Sequence, residues 1–269
     1  MRRLSLFLVF INIISHEILC DEVISGHAEE RTWKIFDMNL WTFVAKSDSY
    51  IFHKNIEIYE DKSLGVKGIL FNYTKNIKYL PVKVYEKFPN MVGYSAYNCS
   101  IQEIRYENFE NLKELQCLDI QRNEISSIPF DTFKDLTKLK YLFLGINLLK
   151  TINENSFKPL KNLRTLNFFK NQIKFVPENA LSSLTQLQNI SFHGNAVENL
   201  NDVHFKNNKN LEWIWLSENK FGILSSTMFD HMKNLKYVDL RDNLCINKYY
   251  YSSSFAEMKE KIKTYCTAL

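Results

Sequence analysis

The chain has 269 residues, is 45% hydrophobic, and carries 34 basic against 30 acidic residues for a formal net charge of +4. It is long enough to bury a sizeable apolar core, and a charge this close to balance does not indicate a nucleic-acid partner. The densest basic stretch spreads four lysines over 75–87, a spacing typical of a solvated face.

The first 20 residues have the three parts of a secretory signal peptide. Residues 1–3 are a basic start, 4–14 are mostly apolar, and 15–20 are more polar. An apolar stretch this short does not span a bilayer, and no later segment is predicted to be a membrane helix. We therefore predict a secreted, extracellular chain cleaved after Cys20, with cleavage after Ser15 as the alternative.

Residues 21–66 are predicted to form an N-terminal cap. Two strand-like runs, Trp41–Val44 and Tyr50–Ile58, are separated by four polar residues, which is typical of a β-hairpin. A hairpin here would protect the edge of any sheet that follows.

From residue 67 to residue 243 the chain repeats every 24 residues, and the first repeat is degenerate. One position is asparagine in six successive repeats: Asn123, Asn147, Asn171, Asn195, Asn219 and Asn243. When Leu115 is counted as position 1, positions 1, 4 and 6 are apolar in nearly every repeat, which predicts a strand with one buried face. Positions 11, 14 and 19 are also apolar, and position 19 is usually phenylalanine. A unit this short must stack on its neighbours to bury its apolar face, so the period predicts a solenoid.

The complete pattern, L-x-x-L-x-L-x-x-N-x-L-x-x-I-x-x-x-x-F-x-x-L, resembles that of the leucine-rich repeat proteins, in the form usual for animal extracellular domains. The resemblance covers roughly residues 67 to 266 and is nearest to small secreted members of insects. It implies an α/β solenoid, a horseshoe with a parallel β-sheet on the concave face and short 3-10 or turn segments on the convex face. The asparagine amide is expected to bond backbone groups of adjacent coils where each strand ends.

Residues 244–269 are predicted to form a C-terminal helical cap. Ser254 and Glu257 have the spacing of a capping box. One helical face collects Phe255, Met258, Ile262 and Tyr265. Cys245 and Cys266 bracket this helix, and a disulfide between them would hold it over the open end of the last coil.

Two further cysteines lie in neighbouring repeats. Cys99 and Cys117 would be about six residues apart along the strands, roughly 20 Å, whereas a disulfide needs α-carbons within about 7 Å. They are therefore not expected to pair. Cys99 takes the asparagine position and is expected to be buried. Cys117 is at position 3, on the open face, as a partly shielded thiol or as an intermolecular thiol that forms a homo- or hetero-dimer.

Signatures of catalysis are missing from the sequence. The six histidines form no H-E-x-x-H pair, and there is no C-x-x-C motif, phosphate loop or nucleophile elbow. His193 could lie near Ser191, but Asp239 is two coils away, about 10 Å, which is too far to orient the imidazole. No catalytic, cofactor or metal site is predicted, and we predict that the chain is not an enzyme.

Three sequons mark candidate glycosylation sites at Asn72, Asn98 and Asn189. Asn189 is at position 3, so a sugar there would screen the middle of the concave face. The alternative is that close strand packing leaves Asn189 unmodified.

Strand positions 3, 5, 7 and 8 point away from the core and carry more aromatic residues than solubility requires. The candidate protein-binding residues are Tyr141, Phe143, Phe169, Trp213, Trp215, Tyr237, Asp239 and Arg241. Aromatic anchors in a polar surround are typical of binding hot spots, although stacked aromatic residues also stabilise sheets.

The sequence thus favours a secreted, non-enzymatic module that recognises an extracellular protein or receptor through its concave face. Immune recognition and cell-surface signalling are both compatible with the resemblance. The alternative is a structural or extracellular-matrix protein that self-associates through Cys117 and the aromatic residues.

Overall fold

The computed structural model describes residues 7–8, 25–33, 38–45, 68–71 and 78–266, and these form a solenoid around one continuous sheet. Its strands are β1 (Phe7–Leu8), β2 (Ser25–Trp33), β3 (Met38–Ala45), β4 (Gly68–Leu70), β5 (Gly93–Ser95), β6 (Cys117–Asp119), β7 (Tyr141–Phe143), β8 (Thr165–Asn167), β9 (Asn189–Ser191), β11 (Trp213–Trp215), β13 (Tyr237–Asp239) and β14 (Tyr249–Tyr251). They lie side by side in that order, while β10 (Asn199–Leu200) and β12 (Ile223–Leu224) form a separate parallel pair.

The sheet is parallel from β3 to β13 and antiparallel at both ends. Strands pair at the 24-residue register, so that Leu118 lies opposite Leu142 and Leu142 opposite Leu166. Short helices lie on the returning segments of some coils: α1 (Val84–Lys87), α2 (Asp202–Phe205) and a 3-10 turn at Tyr106–Asn108. The predicted solenoid with a parallel sheet is confirmed.

The apolar positions of the repeat form one core that runs the length of the coils. Phenylalanines at position 19 stack from coil to coil, with ring centroids 6.0 Å apart for Phe109 and Phe133 and 6.1 Å for Phe133 and Phe157. Each such ring, fully removed from water, contributes roughly 1.5–3 kcal/mol. Because every coil shares this core with its neighbours, the stability of each coil depends on the next.

The asparagine position forms a hydrogen-bonded ladder that satisfies backbone groups where the strands end. Asn147 Nδ2 donates to the carbonyls of Ile120 and Leu144, both at 3.0 Å, and its Oδ1 accepts from Ile125 N at 3.1 Å. Asn123 to Asn243 make the same type of contact at each step, as the repeat pattern predicts. At Cys99 the Sγ atom lies 2.8 Å from the Phe71 carbonyl oxygen instead.

The residue before this asparagine has a left-handed backbone in successive coils. Glycine occupies the position only once, at Gly194 with φ 68°. Ile146 has φ 52°, and this conformation is costly for a β-branched residue because its Cβ crowds the backbone. The chain leaves the strands through the same tight turn whatever the side chain is, so the ladder imposes the conformation.

The N-terminal cap differs from the prediction in one pairing. The strand predicted at Trp41–Val44 lies within β3, but β3 pairs with β2 on one side and with β4 on the other. Both edges of β3 are thus paired with other described strands, and the hairpin in this part of the chain is β2–β3. The second predicted strand, residues 50–58, lies outside the described residues. The sequence of β2, SGHAEERTW, has no apolar alternation that would have marked it as a strand.

The C-terminal cap contains α3 (Phe255–Tyr265), held by the predicted disulfide between Cys245 and Cys266, whose α-carbons are 5.0 Å apart. Met258 and Ile262 are fully buried, whereas Tyr265, predicted on the same helical face, is 60% exposed. The helix turns Tyr265 outward, where Lys261 Nζ lies 5.3 Å from its ring centroid.

The predicted capping box at the start of α3 is wrong. Ser254 Oγ donates to the Tyr251 carbonyl at 3.0 Å rather than accepting from the helix. Glu257 pairs with Lys248 at 2.7 Å. Both side chains have nearer partners in the preceding strand and turn, and these partners compete successfully with the cap.

Candidate functional site

The concave face is formed by strand positions 3, 5 and 7, whose side chains point away from the shared core. We divide it into an N-terminal half, formed by β5 to β7, and a C-terminal half, formed by β8, β9, β11, β13 and β14. The repeat positions are the same in both halves, but the halves differ in which side chains they carry and in how far these are buried.

The N-terminal half is largely closed to solvent. Ser95 is 2% exposed, Cys117 is 0% exposed and Phe143 is 9% exposed. Burial, with the nearby Asp119 charge, raises the pKa of the Cys117 thiol well above its ordinary value. The predicted role of Cys117 as an intermolecular thiol is therefore wrong, because a buried thiol that resists ionisation does not reach a second chain. As predicted, Cys99 and Cys117 form no disulfide with each other.

The central aromatic group predicted from the sequence is divided between the two halves. Tyr141 is half-buried and Phe143 buried, whereas Phe169 lies on the C-terminal half. The Phe169 ring is parallel to His193, with centroids 6.1 Å apart and planes at 8°. A Cβ atom at Gly145, on the preceding coil, would overlap the Phe169 ring. Glycine at 145 therefore leaves the space in which the ring lies.

The C-terminal aromatic cluster consists of Trp213, Trp215, Tyr237, Tyr249 and Tyr251. The two tryptophans are nearly parallel at 15°, with centroids 6.1 Å apart. Tyr237 is 5.6 Å from Trp213 and 5.1 Å from Tyr251, and it is almost completely buried beneath them. Tyr249 and Tyr251 are 45% and 53% exposed. The rings of the cluster pack against each other, and Tyr249 and Tyr251 are open to solvent.

Tyr249 and Tyr251 were not among the predicted site residues. They belong to β14, which pairs antiparallel with β13 and so extends the concave face past the last repeat. The available signal in the sequence was the run of three tyrosines, a residue type enriched in strands. In the structure the outer two are exposed and Tyr250 is 1% exposed, as in a half-buried strand. The repeat register ends before this segment and gave no position to it.

A chain of four hydrogen-bonded side chains, the polar row, borders this cluster. Arg241 donates to Asp239 through Nε at 2.9 Å and Nη2 at 2.7 Å. Ser217 Oγ donates to Asp239 Oδ2 at 3.1 Å, and His193 Nδ1 lies 2.9 Å from Ser217 Oγ. The sequence correctly put Asp239 out of direct reach of His193, but it missed that Ser217, on the coil between them, connects the two.

The direction of these bonds fixes the role of each group. An ionised Asp239 can only accept hydrogen bonds, so Ser217 Oγ donates its single hydrogen to the carboxylate. Ser217 Oγ must then accept a hydrogen bond from His193. His193 therefore carries its hydrogen on Nδ1 in the neutral form. In a nucleophilic triad the histidine lies between the carboxylate and the hydroxyl. Here the serine lies between them, and its proton points to the acid, so the row is not arranged to activate a nucleophile.

Asp239 and Arg241 are both charged in this arrangement. Burial alone would raise the pKa of the Asp239 carboxyl, but hydrogen bonds from Arg241 and Ser217 outweigh it, and the pKa is lowered. The same hydrogen bonds raise the pKa of the Arg241 guanidinium. The two opposite charges neutralise each other within the site. Asp239 is only 2% exposed, so of this pair Arg241 is the member that a partner meets.

A cavity of about 340 Å³ lies on the C-terminal half, between Phe169 and Trp215. It is lined by Thr165, Leu166, Asn167, Phe169, Asn189, Ile190, Ser191, His193, Trp215, Ser217, Asp239 and Arg241. Its volume is at the small end of the range for ligand-binding pockets. Of the predicted site residues, the structure brings Phe169, Trp215, Asp239 and Arg241 together here, while Trp213 and Tyr237 lie beside it in the aromatic cluster.

The three sequons lie in different surroundings. Asn98 is exposed at a strand exit, with a left-handed backbone, and Asn72 lies outside the described residues. Asn189 lines the cavity, and its Nδ2 donates to Thr165 Oγ1 at 3.1 Å. Glycosylation of all three remains a prediction.

The described residues contain neither a metal-binding cluster nor a membrane-spanning helix. Within the described part of the chain, no group of three or more His, Cys, Asp or Glu side chains is placed to hold a metal ion. In the same residues no helix has the length and apolar character needed to cross a membrane.

The leucine-rich repeat family model matches residues 97–149, 113–173, 143–197 and 185–244, which together cover more than half of the 269 residues. The chain belongs to the leucine-rich repeat family. No curated protein sequence matches it.

Solved structures with a similar fold come from an insect and from a bacterium. A chain of the Toll–Spatzle complex of Drosophila is 22% identical, with a TM-score of 0.57 over 68% of this leucine-rich repeat chain and 28% of its own length. An internalin, inlF, from Listeria monocytogenes is 16% identical, with a TM-score of 0.56 over 66% of this chain and 48% of its own. This chain thus spans less than half of either protein, and the likeness at this identity is one of fold.

Proposed function

We propose that this leucine-rich repeat chain is a secreted, non-enzymatic recognition module that binds an extracellular protein partner through the C-terminal half of its concave face. The observation that carries the proposal is the C-terminal aromatic cluster. Its rings pack against one another in the unbound chain, and Tyr249 and Tyr251 are about half exposed. Rigid aromatic residues bury a large area at little cost in side-chain entropy, which is why they are enriched at binding hot spots.

The stabilising role of the same rings does not account for all of them. Tyr237 is buried, and its contacts to both tryptophans are those of a residue that holds the sheet together. Tyr249 and Tyr251 lie at the end of the sheet with roughly half their surface in water. The apolar area that they expose does not stabilise the fold unless a partner covers it.

The polar row supports a binding role in a second way. Arg241 is held by Asp239 and lies over Tyr249, with 5.3 Å between its Cζ and the ring centroid. A guanidinium fixed at the rim loses little freedom when it binds, and it favours partners with a carbonyl or carboxylate at that point.

We extend the proposal to immune recognition or cell-surface signalling. Its support is the fold shared with the Toll–Spatzle complex, which is described as a molecular hub in Drosophila development and innate immunity. Self-association through Cys117 is not part of the proposal, because that thiol is buried.

The test is capture of extracellular partners by the secreted protein and by a Trp213→Ala, Trp215→Ala double variant. Each hot-spot aromatic residue contributes about 2 kcal/mol or more, so we expect captured partner to fall at least 30-fold, roughly, while the variant is still secreted and still unfolds cooperatively. Phe130→Ala is the matched control, since Phe130 is 63% exposed on the return segment of its coil. Equal recovery of partner by the double variant and the wild type would refute the proposed site.

A further inference from the structure

The cavity between Phe169 and Trp215 has a chemistry distinct from that of the aromatic cluster beside it. We propose that it binds a neutral saccharide carried by the recognised partner. This inference rests on the proposed recognition function, because it names the ligand of one part of the same face.

Charge is the first argument. The ionic side chains among the lining residues are Asp239 and Arg241, and they are paired through two hydrogen bonds at 2.9 and 2.7 Å. An anionic ligand would have to compete with Asp239 for the guanidinium, and a cationic one with Arg241 for a carboxylate that is 2% exposed. His193 Nδ1 already contacts Ser217 Oγ at 2.9 Å, and its Nε2 lies 3.8 Å from Glu218 Oε1. A ligand without charge enters this cavity without breaking an ion pair.

Hydrogen-bonding capacity is the second argument. Asn167 Oδ1 accepts from Phe169 N at 2.8 Å, and among the described residues its Nδ2 has no acceptor. Asn189 Nδ2 donates to Thr165 Oγ1, which leaves the Asn189 Oδ1 as an acceptor and the Thr165 hydroxyl hydrogen as a donor. The lining therefore offers both hydrogen-bond donors and acceptors. A hydroxyl group both donates and accepts, so a ring with several hydroxyls matches this lining better than a group that only donates or only accepts.

The aromatic walls are the third argument. The Phe169 ring lies in the space above Gly145 and is parallel to the His193 ring. Trp215 packs against Trp213 and Tyr237. A sugar ring presents C–H groups on its faces and hydroxyls around its edge. Aromatic faces carry negative charge density that attracts such C–H groups. A cavity with aromatic walls and an uncharged amide and hydroxyl lining therefore accommodates both surfaces of a sugar at once.

The direct test measures binding of neutral oligomers of glucose, mannose and N-acetylglucosamine, by tryptophan fluorescence and by saturation-transfer NMR. We expect at least one of these oligomers to bind. We also expect Asn167→Ala to weaken that binding about three- to tenfold and Phe169→Ala about tenfold, whereas a sulfated oligosaccharide of equal length does not bind the cavity. Phe130→Ala is the matched control: Phe130 is 63% exposed and lies outside the cavity, so its loss should leave saccharide binding within about twofold.

Three results would overturn the inference. The first is that no neutral oligomer binds, or that binding is unchanged in both Asn167→Ala and Phe169→Ala. The second is that Asn167→Ala lowers capture of a partner stripped of its glycans, because the cavity then takes a protein side chain. The third is a mass spectrum of the secreted protein showing a glycan on Asn189, since that glycan would fill the cavity.

The experiment also separates this inference from the proposed function. If saccharides fail to bind while the Trp213→Ala, Trp215→Ala variant still loses its partner, only the saccharide site is refuted. If saccharides bind the wild type but no protein partner depends on the aromatic cluster, the proposed function fails and the saccharide site stands as a property of the cavity.

Discussion

Asp119 and Asp239 occupy the same position of their repeats, one on each half of the concave face. The pKa values of their carboxyl groups are shifted in opposite directions. Both accept a bond from the backbone two residues on, at 3.2 Å from Gln121 N and 3.1 Å from Arg241 N. Burial raises the pKa of Asp119, because Gln121 offers only a neutral amide. Arg241 instead supplies a positive charge, and the pKa of Asp239 is lowered.

The same difference runs through both halves. The N-terminal half buries several of its outward side chains, including Cys117 and Phe143, whereas the C-terminal half keeps rings and a guanidinium in contact with solvent. A repeat position fixes the direction of a side chain. The neighbours on the same face then decide whether that side chain stabilises the fold or remains available to a partner.

The largest expected effect is on the asparagine ladder, which runs beneath both halves. Asn171→Leu removes donors to the Leu144 and Phe168 carbonyls and the acceptor for Leu149 N, and all these groups are buried. Each unpaired group costs about 1–3 kcal/mol, so we expect a loss of roughly 3 kcal/mol or more and little secreted protein. Asn162→Leu, at an exposed asparagine outside the ladder, should change the free energy of unfolding by less than about 0.5 kcal/mol. Urea unfolding measures both, and an equal loss in the two variants would contradict the ladder's role.

The second effect tests the two aspartates directly. At pH 7, Asp239→Asn should lower the free energy of unfolding by about 1–3 kcal/mol, because Arg241 and Ser217 lose a charged acceptor. Asp119→Asn should be neutral or stabilising by up to about 1 kcal/mol, because a poorly solvated charge is removed.

The pH dependence of these two variants has opposite signs. The Asp239 pKa is lowered by folding, so its contribution is present above the unfolded value of about 3.9 and is lost as the pH falls through the folded value. The Asp119 pKa is raised by folding, so the wild type loses stability relative to Asp119→Asn as the pH rises from about 3.9 through the folded value. Unfolding curves between about pH 3 and pH 7 measure both pH dependences. If the stability differences of the two variants from the wild type changed with pH in the same direction, the comparison would be contradicted.

The smallest effect concerns the core of the N-terminal half. Tyr94 takes a core position that is leucine, isoleucine or valine in later coils, and within the described residues its buried hydroxyl has no hydrogen-bond partner. Tyr94→Phe should therefore raise the free energy of unfolding by about 1 kcal/mol. Tyr106→Phe is the control with the opposite sign, because the Tyr106 hydroxyl donates to Asp135 at 3.0 Å. A lower thermal midpoint for Tyr94→Phe than for the wild type would show that the Tyr94 hydroxyl has a hydrogen-bond partner.

The fold could be predicted in detail because the 24-residue period assigns each residue a direction. The strands, the ladder from Asn123 to Asn243 and the disulfide between Cys245 and Cys266 all follow from that register and from its end. The period carries no information outside the repeats, so β2 and β14 were missed, and β14 supplies Tyr249 and Tyr251.

Within the site, the sequence identified Trp213, Trp215 and Phe169 because aromatic residues at outward positions are unusual. It could not show that Cys117 is buried, since direction is not exposure. It also missed the polar row. His193 and Asp239 are too far apart to touch, but Ser217 bridges them. Contacts that pass through a third side chain depend on rotamers, which a repeat pattern does not specify.

The most direct test of a binding site confined to the C-terminal half is hydroxyl-radical footprinting of the protein alone and with its captured partner. We expect oxidation of Trp213, Trp215, Tyr249 and Tyr251 to fall on binding, while that of Tyr141 and of Phe130 stays unchanged. Protection of Tyr141 or Phe130 with no change in the aromatic cluster would contradict the account.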